Sequence, residues 1–171
     1  MKTAIFIGRF QPFHSGHYSV LQDLVEQGYQ HIVIGIGSAQ YSRTEENPLS
    51  AAERRRCIET VFQQQPLAAR ITIVNIPDIH NDAAWVDHVE KIIYTVTNQY
   101  SIIVTGNELV QSLFQTKGKL VQPVKQTVMI AGSQIRLWIR QHQTEWRTYV
   151  EPTLADWIEP IILNGHGSSR T

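Results

Sequence analysis

Between Arg9 and His17 the chain places a guanidinium and two imidazoles around a glycine, in the run Gly8-Arg9-Phe10-Gln11-Pro12-Phe13-His14-Ser15-Gly16-His17. Imidazole N–H groups and a guanidinium both favour negative charge, and a helix starting here points its free N–H groups at the same place. Gly16 keeps backbone bulk away from whatever the histidines grip. The pattern describes an anion site. Two histidines three apart can also hold a metal, but zinc would want a third ligand and the Arg9 cation opposes one. A plainer reading has both histidines capping a turn. A second group, Ile130-Ala131-Gly132-Ser133-Gln134-Ile135-Arg136, reads as a small glycine turn entering a helix with Ser133 at its N-cap. Arg136 near the first turn opposes the helix dipole, a misplacement that suits gripping an anion at the helix end.

The elements that must carry these residues alternate along the chain. Ala4 to Ile7 is a short apolar run ended by Gly8, and His31 to Ile36 is apolar without alternation, as in a strand covered on both faces. Ser15 caps a helix through about Gln27, closed by Gly28. Ser50-Ala51-Ala52-Glu53 is a capping box that opens a helix to about Gln65, where Pro66 stops it. Further strands are expected at Ile71 to Ile76 and Ile102 to Thr105, with a short fifth at Thr127 to Ile130. Further helices are expected at Ala84 to Asn98, Glu108 to Phe114, Ser133 to His142 and Leu154 to Leu163. Strands alternating with helices of this size predict a doubly wound, Rossmann-like α/β fold, a parallel sheet with helices on both faces. Its ligand should lie beyond the carboxyl ends of the strands, which is where the unusual residues fall. A single domain over 1–163 is expected, with a flexible Gly- and Ser-rich tail over 164–171.

Composition narrows the partners. Fifteen Lys and Arg against fifteen Asp and Glu leave no net charge, which argues against a polynucleotide partner. No apolar run approaches the ~20 residues of a membrane span, and Arg9 cuts the first run short of a signal-peptide core. A soluble, cytoplasmic protein is the expectation. The lone Cys57 excludes an intrachain disulfide and a cysteine-based zinc site, and it reads as a small buried hydrophobe.

Gly8 to His17 resembles the HxGH signature of the nucleotidyltransferase superfamily, and Ala131-Gly132-Ser133-Gln134-Ile135-Arg136 is similar to its later element ending in Arg. Within the superfamily the Arg9-Phe10-Gln11-Pro12-Phe13 form resembles the archaeal-type nicotinamide-nucleotide adenylyltransferases. So do Gly37-Ser38-Ala39-Gln40, Asn47-Pro48-Leu49-Ser50-Ala51-Ala52-Glu53-Arg54, Pro77-Asp78-Ile79 with Trp85-Val86, and Thr105-Gly106-Asn107. The resemblance implies a nucleotidyltransferase fold and the transfer of AMP from ATP to nicotinamide mononucleotide (NMN), giving NAD and pyrophosphate. It implies catalytic roles for Arg9, His14, His17 and Arg136. ATP contacts are implied for those four with Gly8, Phe10, Gly16, Gly106, Asn107, Gly132 and Ser133. NMN contacts are implied for Arg9, Gly37, Ser38, Asp78, Ile79, Asn81, Asp82 and Trp85. Mg2+ would ride on ATP oxygens with few protein ligands, and the family often forms symmetric homo-oligomers.

The chain departs from the family at Glu46, where some members carry a basic residue two before the proline; Arg43 is the nearest substitute. Lys117 and Lys119 around Gly118 form a basic loop that either covers phosphates or is a solvated tip. Trp138, Trp146 and Trp157 serve packing. A Rossmann redox enzyme is the rival suggested by Gly35-Ile36-Gly37, but the third glycine is missing and Tyr41-Ser42-Arg43 replaces the expected helix. Transferases acting on other phosphorylated acceptors usually have Gly-Thr-Phe where Gly8-Arg9-Phe10 stands. A nucleotide sensor without turnover would be free to lose His14, His17 and Arg136. A fused Nudix hydrolase has neither the length nor the glutamate-rich box here.

Overall fold

The computed structural model describes residues 1–63, 65–125 and 127–165. Five strands, β1 (Thr3–Gly8), β2 (His31–Gly37), β3 (Ile71–Ile76), β4 (Ile102–Thr105) and β5 (Val121–Pro123), form one sheet in the order β3-β2-β1-β4-β5. Every pairing is parallel. The α-helices are α1 (Ser15–Glu26), α2 (Ala51–Phe62), α3 (Asp82–Ile93), α4 (Glu108–Thr116), α5 (Gly132–Arg140) and α6 (Pro152–Asn164). Short 3-10 turns cover Pro66–Arg70 and Glu145–Tyr149.

The two-residue period of a strand sorts the core into two layers. From β1, Ala4 and Phe6 face a larger core shared with Leu21, Leu24, Ile58, Ile135, Trp146 and Ile158. Ile5 and Ile7 face a smaller one with Val86, Val89, Ile93 and Phe114. Both faces of β1 are therefore buried, in keeping with its apolar run from Ala4 to Ile7. The winding direction reverses at β1, between β2 and β4, so the loops after those strands diverge and open a crevice.

Several boundaries differ from the sequence reading. Thr127 to Ile130 is not a strand; the fifth strand lies earlier, at Val121–Pro123, and pairs only with β4. Its proline is tolerable there because an edge strand lacks a second partner. Helix α3 starts at Asp82 and ends at Ile93, short of Asn98, where Tyr94 to Thr97 curl into turns that bond back to the last carbonyls. Helix α2 stops at Phe62, before Gln65. Asn164 belongs to α6 rather than to a tail, and 166–171 lie outside the described residues. Lys117 and Lys119 do not cover phosphates: the loop precedes β5 at the amino end of the sheet, where the two lysines pair with Asp87 and Glu90 of α3. Cys57 is fully buried, and burial pushes its thiol up to about 12, so it packs as a hydrophobe. Gly35 sits inside β2, where a Cβ would run into the Ile76 side chain, rather than in a phosphate loop.

Candidate active site

Helix α1 begins with His14, not Ser15, as its N-cap, and the His14 N–H donates to Nδ1 of His17 at 3.3 Å. That bond uses Nδ1 of His17 as an acceptor, so a neutral imidazole there carries its proton on Nε2. The two rings stack with centroids 3.7 Å apart. Burial holds His14 down to about 4, and burial together with His14 holds His17 well below its ordinary value. Both are neutral N–H donors at neutral pH. A bound anion would reward a proton on either ring.

Gly16 lies under His14 rather than on the cavity wall. A Cβ there would meet the His14 ring at 3.0 Å and the Val128 carbonyl at 3.1 Å. Its smallness serves ring packing. Phe10 is buried among Phe6, Phe13 and His17, and its backbone takes φ 53°. Helix α5 is capped by Ala131, two residues earlier than expected, so Gly132 is its first residue and Ser133 its second. A Cβ on Gly132 would lie 2.8 Å from the Gln11 carbonyl. That close approach lets Arg136, buried at the fifth position of the helix, donate to the Gln11 oxygen at 2.8 Å. Burial, then the like charges of Arg9 and Arg140, brings Arg136 down to about 10, still cationic at neutral pH. Its buried Nε has no partner.

These parts surround a cavity of about 450 Å³ at the carboxyl ends of β1, β2 and β4. That volume is in the range of small-molecule sites. Gly8, Arg9, Phe10, His14, His17, Gly132, Ser133 and Arg136 line one part; Gly106 and Asn107 line it beyond β4, and Gly37, Ser38, Asp78 and Trp85 beyond β2 and β3. Trp85 is 8% exposed, with its ring edge-on to Phe114, so it is core residue and wall at once. The Ser38 hydroxyl donates to Asp78 at 2.8 Å.

Four expected residues are not brought to the wall. Gly16 lies beneath it. Ile79, Asn81 and Asp82 do not line the cavity, and the Asn81 side chain caps α3 by accepting from the Ala84 N–H at 3.2 Å. The departure at Glu46 is an ion pair: Glu46 meets Arg9 at 3.2 Å, and both are well exposed. Arg43 does not stand in for a missing base. It is bound to Glu53 and to the Pro48 carbonyl, and that partner holds Glu53 down to about 2.

Sequence reasoning passed over the residues that tie the site's loops together. Gln11 reads both backbone groups of Leu49, donating to its carbonyl at 2.7 Å and accepting from its N–H at 3.0 Å. Gln40 does the same to Asp78. Arg54, fully buried, binds backbone carbonyls of two loops. Both glutamines stand in the quoted motif blocks, so their position was visible and only their partners were not.

A doubly wound sheet with an anion site at its switch point defines the nucleotide-binding class of α/β proteins. The Cytidylyltransferase-like family matches residues 5–138. The chain is 35% identical to a nicotinamide-nucleotide adenylyltransferase of Methanolobus tindarius over 163 residues, covering 94% of this chain and 90% of that one. Among solved structures it superposes on a bifunctional NMN adenylyltransferase/ADP-ribose pyrophosphatase from Francisella tularensis with a TM-score of 0.78 at 22% identity. It spans 94% of its own length there and about half, 51%, of the bifunctional chain, a likeness of fold. That protein was also solved with AMP and a manganese ion. The chain belongs to the Cytidylyltransferase-like family and, within it, to the archaeal-type nicotinamide-nucleotide adenylyltransferases. It is a nucleotidyltransferase. Among the described residues no helix is long and apolar enough to cross a membrane.

Proposed function

We propose that the protein joins NMN to ATP, giving NAD and pyrophosphate. The observation that carries this reading is the convergence of His14, His17, Arg9, Arg136 and the start of α5 on one end of a cavity whose other end is walled by Trp85, Ser38 and Asp78. A triphosphate suits the first end, which offers donors and cations. A flat, cationic pyridinium suits the second, which offers an aromatic wall and a carboxylate.

An oxygen of the NMN phosphate attacks the α-phosphorus of ATP. The new P–O–P bond forms as the bond to the β-phosphate oxygen breaks, and pyrophosphate leaves with the electron pair. The attacking phosphate is already ionised, so no general base is needed, and positioning with charge neutralisation supplies the rate. His17 donates its Nε2–H to the phosphates. Arg136 offers the guanidinium nitrogen not spent on Gln11, and Ser133 lies beside it at the helix start. Arg9, released from Glu46, bridges the two substrates.

Mg2+ carried on ATP oxygens supplies further charge neutralisation. The lining fits a metal that arrives with its substrate, because Asp78 is its one carboxylate among the described residues. The same reading takes the chain as a self-associating, cytoplasmic, single-domain enzyme.

The test is to mix protein, MgCl2, ATP and NMN and to follow NAD and pyrophosphate. Parallel reactions with nicotinic acid mononucleotide and flavin mononucleotide separate the acceptors. NAD formation is expected. Binding of ATP without any product overturns the reading in favour of a sensor.

A further inference from the structure

Arg54 is the second of the large side chains that the fold buries completely, and it has no carboxylate in hydrogen-bond contact. Its donors go to backbone carbonyls instead. Nη1 reaches the Arg9 oxygen at 3.0 Å and the Gly37 oxygen at 2.7 Å. Nη2 reaches the Ser38 oxygen at 3.1 Å and the Tyr41 oxygen at 3.4 Å, and Nε reaches its own helix at the Ser50 oxygen. A buried cation is a poor way to gain stability, since an apolar side chain of similar volume avoids its desolvation. Such a group is better explained by what it orients.

What it orients can be read from the peptide planes. The Arg9 carbonyl belongs to the plane that enters Phe10, and the Gly37 carbonyl to the plane that enters Ser38. Phe10 and Ser38 take φ 53° and 50°, in the left-handed region that side chains avoid. The Nη1 nitrogen of Arg54 thus holds the plane just before each strained residue. One of these residues is in the loop that carries Arg9, His14 and His17. The other is in the loop that presents Ser38 to Asp78. These are the two ends of the cavity.

We propose that Arg54 is a positioning residue for the transfer: its buried guanidinium locks the phosphate loop after β1 to the acceptor loop after β2 by holding the carbonyls that precede Phe10 and Ser38. The inference rests on the reading of the cavity as an ATP and NMN site. Lysine keeps the charge but offers one nitrogen, so it cannot span the four loop carbonyls. Losing the lock lets each loop relax independently, and both substrates suffer together.

The experiment compares the intact protein with Arg54→Lys at 20 °C, well below the unfolding transition. Steady-state rates with ATP, MgCl2 and NMN are measured beside calorimetric binding of ATP alone and of NMN alone. The expected result is a fall in kcat/KM of about tenfold or more, with KM rising for both substrates and both affinities weakened. A lowered unfolding temperature with kcat and both KM values within twofold of the original overturns the proposal, because Arg54 then serves only the core. So does a rise in one KM alone.

Should Arg54→Lys fail to fold, the double variant Arg54→Lys/Ser38→Gly decides. Glycine relieves the left-handed residue that the guanidinium holds. Recovery of folding with raised KM supports the lock, and continued failure to fold overturns it. The outcome is distinct from a failure of the proposed function, in which the unaltered protein itself makes no NAD.

Discussion

Two groups of helices begin at the carboxyl end of the sheet, and they treat their free N–H groups differently. Helices α2, α3 and α4 are capped by the side chains of Ser50, Asn81 and Asn107, which accept from the N–H groups of Glu53, Ala84 and Val110. Each also carries an acid in its first turn: Glu53, Asp82 and Glu108. Helices α1 and α5 have no acid in the first turn and no cap bond from the side chain of their N-cap residues, although in α1 the His17 ring accepts from the His14 N–H. Helix α1 carries His17 there instead, and α5 carries Arg136 just past its first turn. A missing cap costs about 1 kcal/mol, and here the cost falls on the two helices beside the cationic end of the cavity. The open starts of α1 and α5, both beside the cavity, suit an anion from outside.

The largest break in this contrast is His17→Ala, which removes the donor that the proposed function assigns to the developing charge. We expect kcat to fall about 10²- to 10³-fold with circular dichroism unchanged. Near-normal turnover would sink the mechanism.

Acid comes next. The unfolded chain protonates His14 as the pH falls through 6.5, whereas the folded chain resists until about 4. Stability is thus complete above pH 6.5 and declines between 6.5 and 4, by about 3 kcal/mol at the lower end, at ~1.4 kcal/mol per pH unit. Pyrophosphate favours the protonated rings and should shrink the loss. Urea melts at pH 7, 6 and 5, with and without pyrophosphate, measure it; a stability that does not change from pH 7 to 5 counts against neutral buried histidines.

Making α5 resemble α2 is a milder change. Ser133→Asp places a carboxylate where a phosphate is expected. KM for ATP should rise about tenfold while the unfolding free energy gains about 0.3–1 kcal/mol from the helix dipole. An unchanged KM would move the triphosphate away from α5. The smallest effect belongs to the satisfied group. Ser50→Ala should cost about 1 kcal/mol in chemical denaturation and leave both KM values alone, and a kinetic defect would show that α2 is not merely structural.

Much of the site was legible because it is local. His14 and His17 stand three residues apart, and a helix start after a strand brings both to the cavity wall without long-range information. Asn81 was legible only as a polar residue near Trp85. Whether it faces a ligand or its own helix depends on where α3 begins, and its side chain turns to the Ala84 N–H. The fifth strand was misplaced because Thr127 to Ile130 look β-branched and apolar, whereas Val121–Pro123 becomes a strand only by lying against β4. Edge pairing is a tertiary fact.

The run Arg54-Arg55-Arg56 draws the boundary most sharply. In sequence the three are alike in type, and Arg54 differs only in ending one of the motif blocks. A helix turns 100° per residue, so they part: Arg54 goes into the core beneath the cavity, Arg55 reaches the Ile73 carbonyl, and Arg56 lies over Trp157. The sequence alone determined the alternating fold, since periodicity is a property of the chain itself, and its resemblance to a family indicated the kind of chemistry. Only the tertiary structure decided which arginine of three is buried, because that depends on where the neighbouring loops turn their carbonyls.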